Sequence, residues 1–283
     1  MVSPQAVRRK VLITGAAGGI GRACARTLGA THDLVLTDRA ASSLDGFADE
    51  LATEGYVVSG TPKGELLDEA LLARLAGAVA GAPFALIHCA GLSPSLAGWR
   101  DIMAVNLVAT EKLLRALEPD LRPGSVAVLI SSAAGYRTSP SDEAKAAIAD
   151  PLADGFLERI ENLLQASQSD DPVRTAGNSY TLSKYAVHRI CERRALPWGK
   201  LGARILSISP TLSLTPMGRS EIAGTPAAAA FLSGGPLGRP GTAMDIAQAA
   251  EFLVSEKASF ISGCDIRVDG GSVAATVLAP SGS

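Results

Sequence analysis

The chain has 283 residues, of which 47% are hydrophobic and 19% are charged, so it has ample apolar material for a globular core. Its net charge of −2 and its aromatic content of 4% argue against a nucleic-acid partner. No apolar run approaches the ~18 residues of a membrane span, and the apolar stretch near the N-terminus is too soon interrupted by glycine for a signal peptide. Four scattered cysteines without CxxC or CxxH spacing suggest neither a metal site nor disulfides, so we expect a cytoplasmic protein that binds no metal.

Seven short β-rich runs alternate with longer helical stretches along the chain. The runs lie at 11–15, 33–38, 56–60, 84–91, 125–132, 203–210 and 264–271. They are apolar almost throughout, which is typical of strands buried on both faces of a parallel sheet. Their alternation with helices predicts βαβ units and a doubly wound α/β fold with a seven-stranded parallel sheet. Because this alternation of strands and helices accounts for nearly all of the chain, we predict a single domain over residues 1–283.

The segment 136–178 breaks this rhythm. Its ends are rich in Pro, Ser and Asp, and its middle is apolar at helical spacing. The apolar residues are Leu152, Phe156, Ile160, Leu163 and Leu164. An insertion with its own helices is more often a lid or an oligomer contact than a disordered loop. We expect these side chains to cover the outer wall of a pocket or a neighbouring subunit, and the acidic ends with an apolar middle favour the subunit.

A glycine-rich turn, Thr14-Gly-Ala-Ala-Gly-Gly-Ile-Gly21, lies between the first strand and a helix. Its glycines let the backbone approach a pyrophosphate, and the helix N-terminus supplies free N–H groups with a partial positive charge. Asp38 ends the second strand, where a carboxylate can accept hydrogen bonds from an adenosine ribose. The same carboxylate would repel a 2′-phosphate, which favours NAD over NADP, although the adjacent Arg39 tempers this preference. The alternative interpretation of Asp38 is a simple turn residue.

Tyr180 and Lys184 are four residues apart and would share one face of a helix. A nearby ammonium group stabilises a phenolate and lowers the phenol pKa from its ordinary value of about 10. A tyrosine tuned in this way can exchange a proton at ordinary pH. Such a pair also arises by chance, so its interpretation depends on the other motifs.

Five motifs follow one another along the chain. They are TGAAGGIG at 14–21, HCAG at 88–91, Asn106, SSAAG at 131–135 and YTLSK at 180–184. In this order they resemble the short-chain dehydrogenase/reductase family, and the resemblance extends over about residues 9–271. It implies a Rossmann-type oxidoreductase that interconverts a secondary alcohol and a ketone with NAD, or less readily with NADP. It also implies a homotetramer or homodimer, often with the helix 180–197 at an interface.

The resemblance assigns a role to each catalytic position. Tyr180 would be the general acid or base, and Lys184 would hold the nicotinamide ribose. Ser132 would bind the substrate oxygen, and Asn106 would bind a water that links Lys184 to solvent. The implied cofactor contacts are Gly15, Ala17, Gly18, Gly19, Ile20, Gly21, Asp38, Arg39, Glu65, Leu66, Cys89, Ala90, Gly91, Tyr180, Lys184, Pro210, Leu212, Ser213 and Thr215.

Several of these positions also have a plain structural interpretation. Glu65 would contact the adenine amino group, but it can equally be a solvated surface acid. Thr215 would bind the nicotinamide carboxamide. Ser132 can be a strand-end cap, and Asn106 can be a helix-interior amide bonded to the backbone.

Three features depart from the family pattern. HCAG at 88–91 replaces the usual Asn-Asn-Ala-Gly, and we expect His88 to pack in the sheet rather than to catalyse. Pro210 is followed by threonine instead of the usual glycine. The segment between Ser132 and Tyr180 is much longer than is common, which resembles the bacterial 3α-hydroxysteroid dehydrogenase/carbonyl reductase branch.

Two other functions compete with this interpretation. A nucleotide-sugar epimerase shares Tyr-x-x-x-Lys but usually carries a substantial C-terminal substrate region, where this chain has only SVAATVLAPSGS. A non-catalytic NAD-binding regulator is expected to lose Tyr180, Lys184 or Ser132, and all three are present. The sequence names no substrate, and we expect substrate-facing residues in the insertion 136–178 and in the loop 211–236.

Overall fold

A computed structural model describes residues 8–166, 171–215, 218–219 and 236–278. Seven strands form one parallel sheet in the order β3-β2-β1-β4-β5-β6-β7. The strands are β1 (Lys10–Thr14), β2 (Asp33–Thr37), β3 (Val58–Gly60), β4 (Phe84–His88), β5 (Val126–Ile130), β6 (Arg204–Pro210) and β7 (Asp265–Val268). The predicted seven-stranded parallel sheet is confirmed, and its order is that of a doubly wound Rossmann-type fold.

Helices connect the strands. They are α1 (Gly19–Gly29), α2 (Ala41–Thr53), α3 (Glu69–Val79), α4 (Trp99–Met103), α5 (Thr110–Leu117), α6 (Asp142–Ala147), α7 (Phe156–Ala166), α8 (Pro172–Lys200), α9 (Ala243–Val254) and α10 (Ser272–Leu278). A π-helical turn, Ala104–Ala109, joins α4 to α5, and a 3₁₀ turn, Ala133–Arg137, follows β5. Among the described residues, no helix is long and apolar enough to span a membrane, and no group of side chains could hold a metal ion.

The sheet is buried on both faces because alternate strand residues enter two different cores. In β5, Val126 and Val128 join a core with residues of α1, α2 and α9. Ala127 and Leu129 join the opposite core, with residues of α3, α5 and α8. Successive side chains of a strand point to opposite faces, so a strand between two helical layers is apolar at every position. This explains the continuous apolar runs in the sequence.

The strands β1 and β4 are neighbours in the sheet although two other strands separate them in the chain. The order of the strands reverses at this point, and open α/β sheets bind ligands in the crevice beyond the strand ends there. Thr14 pairs with His88 at the ends of β1 and β4. The glycine-rich turn and the HCAG segment are therefore side by side.

The insertion contributes α6 and α7, whose apolar side covers the chain's own core. Phe156, Ile160 and Leu164 are buried in the same core cluster as Leu182 of α8. Leu163 is partly buried against that cluster. For Phe156, Ile160 and Leu164 the expectation that they cover a neighbouring subunit is wrong, because the surface that they bury belongs to their own chain.

The insertion is also shorter than predicted, because α8 already begins at Pro172. Asp171 is the N-cap, and its Oδ1 accepts a hydrogen bond from Val173 N at 2.9 Å. Proline suits the first position of a helix because its φ angle is already helical. It has no backbone N–H, and an N–H at this position would have no partner within the helix. The Asp-Pro pair therefore starts α8 and does not belong to the polar end of the insertion.

His88 is buried at the end of β4, as expected for a residue that packs in the sheet, and it joins two further elements. Its Nδ1 lies 2.7 Å from Thr14 Oγ1, and its Nε2 lies 2.8 Å from Thr110 Oγ1. Thr110 donates its hydroxyl hydrogen to Asn106 O at 2.9 Å, so the His88 Nε2–H must donate to Thr110. Thr14 Oγ1 accepts from Ala90 N at 3.2 Å and can donate to Nδ1. A neutral His88 therefore satisfies every hydrogen bond in this chain of groups.

The buried His88 should make the stability of the protein depend on pH. Burial, together with the charge of Lys184, lowers the pKa of His88 from 6.5 to about 3. Below about pH 6.5, His88 takes up a proton in the unfolded chain, but in the folded chain it stays neutral until about pH 3. The free energy of unfolding should therefore decrease as the pH falls from 6.5, by up to about 1.4 kcal/mol per pH unit from this group.

We predict that His88→Asn loses less stability than the wild type between pH 7 and pH 5, as measured by urea denaturation. Asparagine retains a donor and an acceptor but does not titrate. The half-buried His32 provides the comparison: burial also lowers its pKa, but it is less buried than His88, so His32→Asn should reduce the pH dependence by less. Equal pH dependence in His88→Asn and the wild type would contradict the assignment of a buried, neutral His88.

Candidate active site

The turn after β1 requires glycine at two positions. Gly15 has a φ of +61°, and a Cβ added there would lie 2.8 Å from Ala90 N. A Cβ added to Gly21 would overlap with Gly15 O. Gly18 is the N-cap of α1 and has no side chain to shield the free N–H groups of the first helical turn. The turn thus lies directly against the loop after β4 and exposes backbone donors to an anion.

A cleft extends over the C-terminal ends of β1, β2 and β4. The predicted cofactor contacts that line it are Gly15, Gly18, Asp38, Arg39, Glu65, Leu66, Cys89, Ala90 and Gly91. Ala17, Gly19, Ile20 and Gly21 belong to the same turn and helix start but do not line the cleft wall. The wall also contains residues outside the predicted cofactor contacts, namely Thr14, Thr37, Gly64, Leu67, Leu92, Leu96, Val105 and Ala109, of which all but Thr14 also lie outside the glycine-rich turn.

Asp38 binds the glycine-rich turn through its carboxylate. Its Oδ2 accepts from Ala17 N at 3.0 Å, and its Oδ1 accepts from Ala40 N at 2.9 Å. Each carboxylate oxygen retains a further lone pair, so Asp38 can still accept hydrogen bonds from a ligand in the cleft. Arg39 is exposed and its Nη1 lies 4.0 Å from Oε1 of the exposed Glu65. The turn interpretation and the ligand interpretation of Asp38 are therefore compatible.

Two further side chains of the cleft fit a nucleotide. Thr37 Oγ1 is buried without a hydrogen-bond partner in the part of the chain that the structure describes. A buried hydroxyl without a partner beside a cleft indicates a group that a ligand or a water completes. Contact with Cys24 and burial raise the pKa of Cys89, so its thiol stays neutral against the cleft. These residues, with the glycine turn and Asp38, suit a dinucleotide.

Lys184 connects the end of β5, the loop after β4 and helix α8. Its side chain is buried, and Nζ donates to Ile130 O at 3.0 Å. Nζ lies 5.7 Å from the centroid of the Tyr180 ring. A Cβ added to Gly91 would lie 3.5 Å from the same Nζ. The structure therefore places the phenol and the ammonium group together beside the cleft, as their spacing predicts.

Ser132 lies beside this corner, directly after β5. The preceding Ser131 donates its hydroxyl to Lys184 O at 2.9 Å, which ties the end of the strand to α8. Ser132 Oγ accepts from Ala134 N at 3.1 Å and caps the 3₁₀ turn. The hydroxyl hydrogen of Ser132 is not used by this cap and can be donated to a ligand. The capping role and the substrate role are therefore compatible.

The Asn106 side chain holds the loop after β4. Oδ1 accepts from Leu92 N at 2.8 Å, and Nδ2 donates to Leu92 O at 3.0 Å and to Ser183 Oγ at 3.0 Å. Ser183 in turn donates to Tyr180 O at 2.7 Å. Both hydrogens of the amide are thus occupied by the protein, so a water at this side chain would have to donate to Oδ1.

The late part of the site follows β6, which ends at Pro210. Ser213 forms a parallel bridge with Gly241, and Leu212 is half-buried beside it. Thr215 is buried, and its Oγ1 accepts from Gly218 N at 3.1 Å. Most of the predicted substrate-facing loop, residues 216–217 and 220–235, lies outside the described residues.

Comparison with known proteins agrees with this geometry. Residues 9–147 match the family model described as short chain dehydrogenase, and residues 163–273 match the model described as Enoyl-(Acyl carrier protein) reductase. Galactitol 2-dehydrogenase (L-tagatose-forming) of Cereibacter sphaeroides is 31% identical over 92% of this chain and 92% of its own length. The 3-alpha-hydroxysteroid dehydrogenase/carbonyl reductase of Comamonas testosteroni is 30% identical over 92% of this chain and 95% of its own length.

Solved structures show the same fold. A short-chain type dehydrogenase/reductase from Mycobacterium ulcerans has a TM-score of 0.75 at 25% identity, and covers 96% of this chain and 94% of its own. The 3-alpha-hydroxysteroid dehydrogenase of Pseudomonas sp. B-0831, complexed with NADH, has a TM-score of 0.72 at 26% identity, and covers 96% of this chain and 99% of its own. The chain is a member of the short-chain dehydrogenase/reductase family, whose oxidoreductases use a nicotinamide cofactor to act on alcohol and ketone groups.

Proposed function

We propose that the protein is an NAD-preferring oxidoreductase that interconverts a secondary alcohol and a ketone, with Tyr180 as the general acid or base. The observation that carries this proposal is the buried ammonium group of Lys184 beside the Tyr180 ring, at the edge of a cleft lined by Gly91 and Asp38. A cation next to a phenol favours the phenolate, which is the form that takes a proton from an alcohol.

The position of Lys184 and Tyr180 at the edge of the cleft suggests a role for each neighbouring residue. Bound NAD supplies the hydride acceptor or, when reduced, the hydride donor. In the oxidation direction, Tyr180 takes the hydroxyl proton of the alcohol, and in the reduction direction it returns a proton to the ketone oxygen. Ser132 donates a hydrogen bond to the same oxygen and orients it. Lys184 holds the nicotinamide ribose, and Asn106 keeps the loop of Leu92 against α8.

The NAD preference rests on Asp38. Its carboxylate lies at the end of β2 in the cleft wall, where it suits ribose hydroxyls and repels a 2′-phosphate. The NADH complex of the structurally similar 3-alpha-hydroxysteroid dehydrogenase supports this choice. The exposed Arg39 is the residue that would accommodate NADP instead.

The substrate class that we propose is a small alcohol or ketone, including cyclic and steroid-like compounds. The relatives support this range, since they include a galactitol 2-dehydrogenase and a 3-alpha-hydroxysteroid dehydrogenase/carbonyl reductase. We also propose that the protein is a cytoplasmic homodimer or homotetramer of single-domain chains.

We predict that Tyr180→Phe lowers turnover by roughly 10² to 10⁴-fold, because a general acid–base group contributes about this factor. NADH affinity, measured by fluorescence titration, should stay within about threefold, since only a hydroxyl group is removed. Turnover is measured with NAD and a panel of steroids, cyclic alcohols and aliphatic alcohols. Tyr185→Phe on the same helix is the control. If the Tyr180 variant kept turnover within threefold of wild type, the assignment would be wrong.

We predict that Asp38→Ser lowers the ratio of kcat/KM for NAD to that for NADP by roughly tenfold, about 1.4 kcal/mol. Serine keeps an acceptor for Ala17 N–H but removes the negative charge. Asp49→Ser, at an exposed position on α2, is the control for the loss of a charge. A wild type that already prefers NADP would refute the role of Asp38 and would indicate that Arg39 binds the 2′-phosphate.

A further inference from the structure

A buried polar cluster lies one helical turn beyond Lys184, between α8 and the strands β6 and β7. At its centre is Asp265, the first residue of β7, with a side chain only 5% exposed. Asp265 Oδ1 accepts from Ser207 Oγ at 2.5 Å, and Oδ2 accepts from the Tyr136 hydroxyl at 2.8 Å. His188 Nε2 lies 3.5 Å from Asp265 Oδ1. The proposed reaction assigns no role to these residues.

The composition of the cluster suggests a hydrolytic triad, but its geometry excludes one. His188 Nε2 is 2.9 Å from Ser209 Oγ, and the same nitrogen faces Asp265. In a triad, one ring nitrogen serves the serine and the other binds the carboxylate. Ser209 is also fully buried, so no substrate can reach its hydroxyl. The cluster is therefore not a nucleophilic site.

The cluster instead reaches the turn that follows Ser132. Tyr136 belongs to the 3₁₀ turn Ala133–Arg137, and its ring packs against His188 with centroids 4.9 Å apart. The backbone of Gly135 lies so close to α8 that an added Cβ would be 2.9 Å from Lys184 C. Tyr136 thus attaches the far end of the turn, while the Ser131 hydroxyl attaches its near end to Lys184 O.

The hydrogen bond of Tyr136 to Asp265 depends on one hydroxyl group, so a single substitution removes it. Its acceptor is a carboxylate, and hydrogen bonds to charged groups are stronger than neutral ones. Burial and the charge of Asp265 raise the pKa of Tyr136, so its hydroxyl remains a donor at ordinary pH. Tyr136 itself is 42% exposed, so removal of its hydroxyl takes a donor from the largely buried Asp265 at the surface end of the cluster. The Arg267 guanidinium lies over the Tyr136 ring, 5.5 Å from its centroid, so the ring also contacts a second residue of β7.

We propose that Tyr136 is a positioning residue, which holds the 3₁₀ turn on α8 through Asp265 and thereby fixes Ser132 relative to Tyr180. Tyr136 does not touch the substrate in this proposal and acts only through Ser132. The inference rests on the proposed function, in which Ser132 binds the substrate oxygen.

The first test uses hydrogen exchange and needs no substrate. Tyr136→Phe should speed amide exchange in a peptide covering residues 131–137 by roughly tenfold, because the end of the turn is released. Tyr56→Phe, which removes a phenol hydroxyl remote from this cluster, should leave that peptide unchanged. Unchanged exchange in Tyr136→Phe would overturn the proposal.

The second test measures whether Tyr136 acts through Ser132. Tyr136→Phe should lower kcat by roughly tenfold while the NADH dissociation constant stays within about twofold. In a Ser132→Ala background, the same change should lower kcat by less than about twofold, because nothing remains to be positioned. Equal effects in the two backgrounds would overturn the proposal. Asp265→Asn, which keeps an acceptor for Tyr136, should retain more activity than Asp265→Leu.

These outcomes separate the inference from the function on which it rests. A wild type without turnover of any alcohol or ketone would overturn the proposed function and the positioning role together. An active wild type that is slowed by Ser132→Ala but not by Tyr136→Phe would overturn the positioning role alone.

Discussion

The ammonium group of Lys184 is buried, and it donates to the carbonyl oxygen of Ile130 at the end of β5. A buried charge is very unfavourable unless polar groups surround it, so its position is strongly constrained. Gly91, in the loop after β4, lies beside the same group, since a Cβ added there would be 3.5 Å from the Lys184 Nζ. One cation therefore ties α8, β5 and the loop after β4 into a single corner. Tyr180 belongs to the same helix, α8, so the position of Lys184 also determines the position of Tyr180.

A second set of hydrogen bonds connects this corner to the glycine-rich turn. Thr14, the last residue of β1, contacts His88 and Ala90, and His88 reaches Asn106 O through Thr110. The Asn106 side chain then binds both the Leu92 backbone and Ser183 of α8. The cofactor cleft and the helix of Tyr180 are thus parts of one continuous polar network. Most of its members are buried, so their positions depend on each other.

The sequence was sufficient to predict the sheet, because strands buried on both faces are apolar at every residue. It also predicted the glycine-rich turn and the Tyr180–Lys184 pair, whose spacings are local. It failed where long-range packing decides the outcome. The apolar side of α7 gives no sign of which surface it covers, and Leu96 and Val105 of the cleft wall belong to no motif.

Two further features of the structure have a local signal in the sequence. The Asp-Pro pair at the start of α8 has the chemistry of an N-cap followed by a first helical residue, yet it lay within a polar segment. Thr14 and Thr37 each end a strand beside a cofactor motif, where parallel strands deliver side chains to one crevice. The contact between Tyr136 and Asp265 has no such signal, because the two residues are far apart in the chain.

Lys184 joins cofactor binding to proton transfer in the proposed function. The most direct test is the NADH dissociation constant of Lys184→Met, measured by fluorescence titration beside the wild type and Tyr180→Phe. Methionine keeps the apolar stem and removes the charge, and thermal unfolding checks that the variant folds. We predict that the NADH dissociation constant rises by roughly tenfold in Lys184→Met, about 1.4 kcal/mol, but not in Tyr180→Phe. A folded Lys184→Met that binds NADH as tightly as the wild type would contradict it.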